Sequence, residues 1–231
     1  MDHDLNIGGF TPLTTIDYPD HLSCVIFCQG CAWRCRYCHN PELINSKQQG
    51  QYAWQTVYQF LQARQGLLDA VVFSGGEATL QAHLTPAMAT VKTMGYLVGL
   101  HSAGIHYAHF CEALNYADWI GFDIKALPKD SQRITQTKHS AKVNWQSLAQ
   151  LLKSQVAYEC RTTIHWQLFD VEAVWQLAKQ VHAEGVQHYC IQLAQSNNLL
   201  DSSLSHHPEP TEAQALWQEL DQLFIDFKLR R

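Results

Sequence analysis

Six short apolar runs recur along this chain, separated by amphipathic stretches: LSCVIF at 22–27, DAVVFS at 69–74, YLVGL at 96–100, DWIGFDI at 118–124, YECRTTI at 158–164 and HYCIQL at 188–193. Most lack polar alternation, as strands do when a parallel sheet is covered on both faces. Between them, Trp54, Val57, Tyr58 and Leu61 follow the i, i+3, i+4, i+7 spacing of a buried helical stripe, as do Leu84, Ala87, Met88 and Val91. Leu148, Leu151 and Leu152 continue the pattern, and Val174, Leu177 and Val181 repeat it behind Asp170, a candidate cap. A last helix is expected to open with Thr211 and Gln214 as a capping box and to bury Leu216, Leu220, Leu223 and Phe227. Right-handed crossovers between neighbouring parallel strands curl six such units into an α/β fold, an open partial (β/α)6 barrel of mainly parallel strands. A flat doubly wound sheet is the alternative, because periodicity does not fix strand order. One domain over 1–231 is expected, with an irregular or hairpin lead-in at 1–21, a barrel core at 22–194, and a loop plus C-terminal helix at 195–231.

A chain of 231 residues buries a sizeable core without disulfide staples. With 46% hydrophobic residues it is not an extended disordered chain. Lys and Arg number 16 against 21 Asp and Glu, and the net charge of −5 argues against a nucleic-acid partner held by phosphate neutralisation. No apolar run approaches the ~20 residues of a membrane helix. The N-terminus MDHDLN is acidic where a secretory signal is basic and then apolar. The expectation is a soluble, cytoplasmic protein with no membrane partner.

Of eight cysteines, five (Cys24, Cys28, Cys31, Cys35 and Cys38) fall within fifteen residues. Clustered thiols in a cytosolic chain point to a metal rather than to disulfides. Cys31, Cys35 and Cys38 are spaced C-x3-C-x2-C, which lets one short loop place three thiolates around an iron–sulfur cube and leaves one iron open to an exogenous ligand. Counting Cys28 gives C-x2-C-x3-C-x2-C, a ferredoxin-type or zinc site. Zinc ribbons, however, separate their cysteine pairs by about fifteen residues. Cys24, Cys28, Cys111, Cys160 and Cys190 otherwise read as small buried hydrophobes.

The polar and glycine-rich clusters all follow directly on strands, so in a parallel barrel they share the rim where active sites are built. Gly75 and Gly76 in SGGE let backbone approach a ligand closely, and Glu77 can accept from an ammonium group; an ordinary turn is the plainer alternative. Alternation sends Asp123 and Lys125 to one face of their strand, where a charged pair needs a partner such as a zwitterion, or forms a surface ion pair. Arg161 can clamp a carboxylate through its planar fork or pair with Glu159 or Asp123.

CAWRCRYC at 31–38, with Tyr37 before the third cysteine and His39, Asn40 and Pro41 after it, resembles the radical S-adenosylmethionine (SAM) enzymes, as do FSGGEATLQ at 73–81, HSAG at 101–104 and WIGFDIK at 119–125. Within that superfamily, the lead-in GGFTPLTTIDYP at 8–19 is similar to activases of glycyl-radical proteins, in particular those of anaerobic ribonucleoside-triphosphate reductase. The resemblance spans 8–164 and implies a single radical SAM domain with one 4Fe–4S cluster on Cys31, Cys35 and Cys38. It implies SAM binding by Tyr37, His39, Gly75, Gly76, Glu77, Ser102, Asp123, Lys125 and Arg161, with Gly104 nearby and no catalytic residue beyond the cluster and cofactor site. Tyr37 would shield the adenine or the cluster, or simply pack. The implied reaction is reductive cleavage of SAM to methionine and a 5′-deoxyadenosyl radical, which removes a hydrogen from a backbone glycine of the partner. The implied partners are the large subunit of anaerobic ribonucleotide reductase and a flavodoxin or ferredoxin as electron donor.

Some residues depart from that pattern. Arg36 and Ala78 stand where proline is frequent, His101 where an aspartate is, and QLAQSNN follows the sixth strand where a histidine would reach the SAM carboxylate. Two other readings stay open: a radical SAM enzyme acting on a small molecule, and a non-catalytic iron–sulfur or zinc module in which Cys28 is essential.

Overall fold

The structure, a computed structural model, describes residues 5–195 and 198–231. Residues 1–4, part of the acidic N-terminus, and Ser196 and Asn197, part of the expected loop, lie outside the described residues. Among the described residues, eight strands form one sheet in sequence order. They are β1 (Ile7–Thr14), β2 (Ser23–Cys28), β3 (Ala70–Gly75), β4 (Leu97–Ser102), β5 (Trp119–Asp123), β6 (Ala157–Ile164), β7 (His188–Leu193) and β8 (Asp226–Arg230). From β2 to β8 every neighbouring pair is parallel. A doubly wound sheet reverses its strand order part-way; this one does not, so its crossovers wind in one sense and the sheet coils into a barrel left open between β1 and β8.

The six apolar runs are β2 to β7. The other two strands extend that expectation. The lead-in is the first arm of a hairpin, because β1 pairs antiparallel with β2. Phe227 lies on β8 rather than on the last helix, α7 (Ala213–Leu223), which stops when Phe224 turns extended. DFKLR alternates polar and apolar residues as a strand does, and its apolar members only mimic a continued helical stripe. The capping box is absent too: Glu212 occupies the N-cap without a side-chain bond to the helix, and the Thr211 hydroxyl donates to its carboxylate.

The expected helices are α1 (Trp54–Arg64), α2 (Leu84–Thr93), α5 (Ser140–Lys153) and α6 (Val171–Ala183). Asp170 caps α6 by accepting from the Ala173 N–H at 2.7 Å. Two short helices, α3 (Tyr107–Ala113) and α4 (Ser131–Thr135), are too brief to show a periodic stripe. The sheet separates two cores. The larger lies under the helices and holds Phe73, Phe110, Phe122, Met88 and Tyr189, each contributing about 1.5–3 kcal/mol by burial. The smaller lies inside the barrel, where Tyr18 from the β1–β2 loop packs on Val25, Val72 and Trp119 and forms a floor. Among the described residues no helix is long and apolar enough to cross a membrane.

Candidate active site

The segment after β2 is held like a strand between two neighbours. Arg34 and Arg36 donate their backbone N–H groups to Thr135 and Ile134 at 2.9 and 3.0 Å, while the Arg36 and Cys38 carbonyls accept from Asp201 and Leu200, both at 3.0 Å. An ion pair of 2.6 Å joins Arg36 to Asp201, whose carboxyl is held at about 2 by the Ser203 hydroxyl and by Arg36. The frequent proline at 36 is thus replaced here by a side chain that latches the loop.

The root of the loop is fixed by SGGE, for a reason that differs from the sequence expectation. Gly76 donates to the Cys28 carbonyl and Glu77 to the Gly30 carbonyl, both at 2.9 Å. A Cβ on Gly75 would overlap the Cys28 backbone, and one on Gly76 the Gly30 carbonyl. The two glycines therefore admit the protein's own backbone, and Gly75 also adopts φ +119°. Glu77 is 3% exposed and already accepts from the Thr79 N–H and hydroxyl, the Ser102 hydroxyl and the Ala103 N–H. Burial pushes its pKa up and these donors pull it back. Glu77 and Ser102 thus brace the turns after β3 and β4 against each other.

Inside these loops lies a cavity of about 470 Å³, and every candidate cluster and SAM residue is on its wall: the thiols of Cys31, Cys35 and Cys38, then Tyr37, His39, Gly75, Gly76, Glu77, Ser102, Asp123, Lys125 and Arg161. Gly104 is not. It takes φ +62° against Ser147 and shapes the turn. Sequence reading missed Asp17, Thr163 and Gln192. Thr163 follows Arg161 by two on the same face of β6 and pairs in register with Gln192 on β7, so alternation could have found both. Asp17 comes from the lead-in loop, which carries no periodic signal.

C-x3-C-x2-C occurs twice, since Cys24, Cys28 and Cys31 have the same spacing. The fold separates the two sets: Cys24 and Cys28 are fully buried in β2, whereas Cys35 and Cys38 face the cavity with Cys31. Among the described residues no three His, Cys, Asp or Glu side chains gather closely enough for a single metal ion. Burial pushes the Cys31 and Cys35 thiols up to about 12 and 11. Two consequences follow for the metal-free protein. Loading must displace protons, so apparent cluster affinity should rise about tenfold per pH unit for each proton released, measured by iron–sulfur absorbance. Because both folded-state values lie above the ordinary thiol value, stability should be intact below about pH 9 and fall progressively towards pH 12, measured by urea melts.

The opposite wall carries charge. Asp123 pairs with Lys125 at 3.0 Å; burial works most strongly against the ammonium, but Asp123, Tyr37 and Cys35 together outweigh it and hold the lysine pKa well above its usual value. Arg161 donates to Glu159 at 3.0 Å and lies 4.9 Å over the Trp119 ring, in space that Gly121 leaves open. Glu159 also receives Arg230 at 2.8 Å. His101 donates from Nε2 to the Asp17 carbonyl at 2.8 Å and is kept neutral by burial and by Arg161. Among the described residues that line the cavity, the buried Tyr37 hydroxyl has no hydrogen-bond partner.

A description of the radical SAM superfamily matches residues 25–166. The chain belongs to the radical SAM superfamily. A protein of Methanocaldococcus jannaschii named as a glycyl-radical enzyme activating enzyme is 28% identical over 214 residues, 89% of this chain and 87% of that one. The pyruvate formate-lyase-activating enzyme of Clostridium pasteurianum is 32% identical over 132 residues, 55% of each chain. Among solved structures, SuiB of Streptococcus suis bound to S-adenosylmethionine has a TM-score of 0.66 at 10% identity, over 88% of this chain and 48% of SuiB. This radical SAM chain thus spans about half of the last two proteins, and the SuiB likeness shows the fold alone.

The superfamily's 4Fe–4S cluster and SAM fit these residues. Three thiols, with no fourth on the same wall among the described residues, an unpartnered phenol, and an acid–base pair suited to a zwitterion surround one volume. Tyr37→Phe should leave the metal-free fold as stable or up to about 1 kcal/mol more stable, because it removes an unsatisfied group. If the hydroxyl meets SAM, the same change should weaken SAM binding about 5–10-fold, measured by calorimetry.

Proposed function

We propose that this radical SAM enzyme is a glycyl-radical activase, with anaerobic ribonucleotide reductase as its target and a flavodoxin or ferredoxin as its reductant. In this reading Cys31, Cys35 and Cys38 hold the 4Fe–4S cluster, and Tyr37, His39, Gly75, Gly76, Asp123, Lys125 and Arg161 contact SAM, with Glu77 and Ser102 holding the turns in place. Cluster and SAM together supply a one-electron cleavage of the sulfonium that yields a carbon radical able to take a hydrogen atom. The chain's own residues do the positioning. The Asp123–Lys125 pair meets the ribose or the amino-acid end, Arg161, held through Nε by Glu159 and with Nη2 3.3 Å from His101, turns its guanidinium to the carboxylate, and the neutral His101 adds no competing charge. The aromatic floor of Tyr18 and Trp119 closes the barrel below and keeps water from the reacting atoms.

The observation that carries the reading is the juxtaposition of the three-thiol wall with a lateral way in. A second concavity of about 490 Å³ between Ile16 and Arg230 shares His39, Thr163 and Gln192 with the cavity, and so offers a polypeptide a path through the unclosed side. The names of the relatives and the lead-in GGFTPLTTIDYP support a glycyl-radical target. The test is anaerobic protein with reconstituted cluster, dithionite, SAM and purified reductase. Methionine and deoxyadenosine should form, with a glycyl-radical doublet by electron paramagnetic resonance. Products without the doublet would point to a different target, such as a small molecule; no products would overturn the activase reading.

A further inference from the structure

Residues 124–158 carry six Lys and Arg and a single acid, Asp130, in a chain of net charge −5. This basic stretch is built against the outer side of the cluster loop. Thr135 and Ile134 accept from the loop's backbone, and the Thr137 hydroxyl donates to the Ala32 carbonyl at 3.4 Å. Lys129, Arg133, Lys138 and Lys142 are exposed there, beside exposed Arg34 between the first two cysteines. Among the described residues no acid pairs with Lys129, Lys138 or Lys142, while Arg133 has only Asp130 at 3.9 Å. The surface is concave: a hollow of about 430 Å³ is lined by Lys129, His139, Lys142 and Trp145. It is also rigid, because the buried hydroxyls of Ser131, Thr135 and Ser140 tie α4 to α5 through contacts of 2.7 and 2.8 Å.

We propose that this basic hollow is the docking surface for an acidic one-electron carrier protein that reduces the cluster. The inference rests on the activase reading. During turnover the cavity is filled by SAM and its lateral opening by the substrate, so the outer side of the cluster loop is the face left for a donor. The step transfers one electron: the carrier is oxidised by one electron and the cluster reduced by one, with no proton or bond required. Complementary charge speeds encounter and sets orientation, which suits a partner that must leave after each electron.

The test compares the wild type with K129E/R133E/K138E/K142E, and with the same four positions changed to glutamine should the reversal fail to fold. Arg34 stays, since its guanidinium holds the Cys31 and Trp33 carbonyls. Oxidised flavodoxin is titrated by calorimetry at low and at physiological ionic strength, where charges are screened beyond about 8 Å. Affinity should fall at least about tenfold in the variant, and wild-type affinity should fall with salt. Deoxyadenosine formation driven by reduced flavodoxin should drop in parallel, while the dithionite-driven rate stays unchanged. Equal flavodoxin affinity in wild type and variant would overturn the proposal. So would a loss confined to dithionite-driven glycyl-radical formation, which would assign the hollow to the reductase. A wild type that fails to cleave SAM with dithionite would sink the activase reading, while the flavodoxin titration still decides the surface.

Discussion

Alanine at Cys31, Cys35 or Cys38, taken singly, is expected to remove the iron–sulfur absorbance and reduce SAM cleavage to background. Alanine at Cys24 or Cys28 should leave both in place. The contrast is the point, because Cys24, Cys28 and Cys31 share the motif spacing with Cys31, Cys35 and Cys38. Cys24 and Cys28 are fully buried in β2, where burial pushes both thiols up to about 12 and each side chain serves as a small hydrophobe. Their removal should cost on the order of 1–2 kcal/mol of fold stability through lost packing. Loss of the cluster in Cys28→Ala would support a four-thiolate site and the electron-carrier or zinc alternative. Iron content, the absorbance spectrum and deoxyadenosine yield on anaerobically reconstituted variants make the measurement.

Glu159→Ala should give the largest loss of stability of any single charge removal, about 3–5 kcal/mol by urea melt of the metal-free protein. Glu159 and Arg161 side chains are 5% and 7% exposed, and Arg230 adds a second guanidinium at 2.8 Å. Removing the carboxylate leaves Arg161 inside the barrel without its ion-pair partner. Asp130→Ala, which breaks an exposed pair 3.9 Å long, is the control and should cost no more than about 1 kcal/mol. Because Arg161 lines the cavity, Glu159→Ala should also weaken SAM binding, whereas Asp130→Ala should not. Equal stability losses for the two variants would show that the barrel interior is hydrated enough to screen this network.

The strands were legible because they are covered on both faces: six apolar runs stand out against helical stripes, and these became β2 to β7. Placement of the candidate site was legible for a related reason. Parallel strands put their carboxyl ends on one rim, so a cysteine loop, SGGE, HSAG and DIK that follow successive strands must meet. β8 was obscured because Phe224 and Phe227 carry on the apolar spacing of α7, and only packing decides where a helix stops. Asp17 was not legible because an irregular loop folds into the barrel, a contact between distant segments that leaves no period.

What the chain's sequence determined alone is the set of parts: strand and helix periodicities, three thiols on one short loop, and polar groups at strand ends. These are local properties, set by side-chain spacing along the backbone. The tertiary structure alone decided that the glycines of SGGE make room for the Cys28 and Gly30 backbones. It alone put the carboxylate of Glu77 to work as a brace. Each of these depends on which atoms compete for the same space or the same hydrogen bond, and that competition exists only once distant segments are brought together.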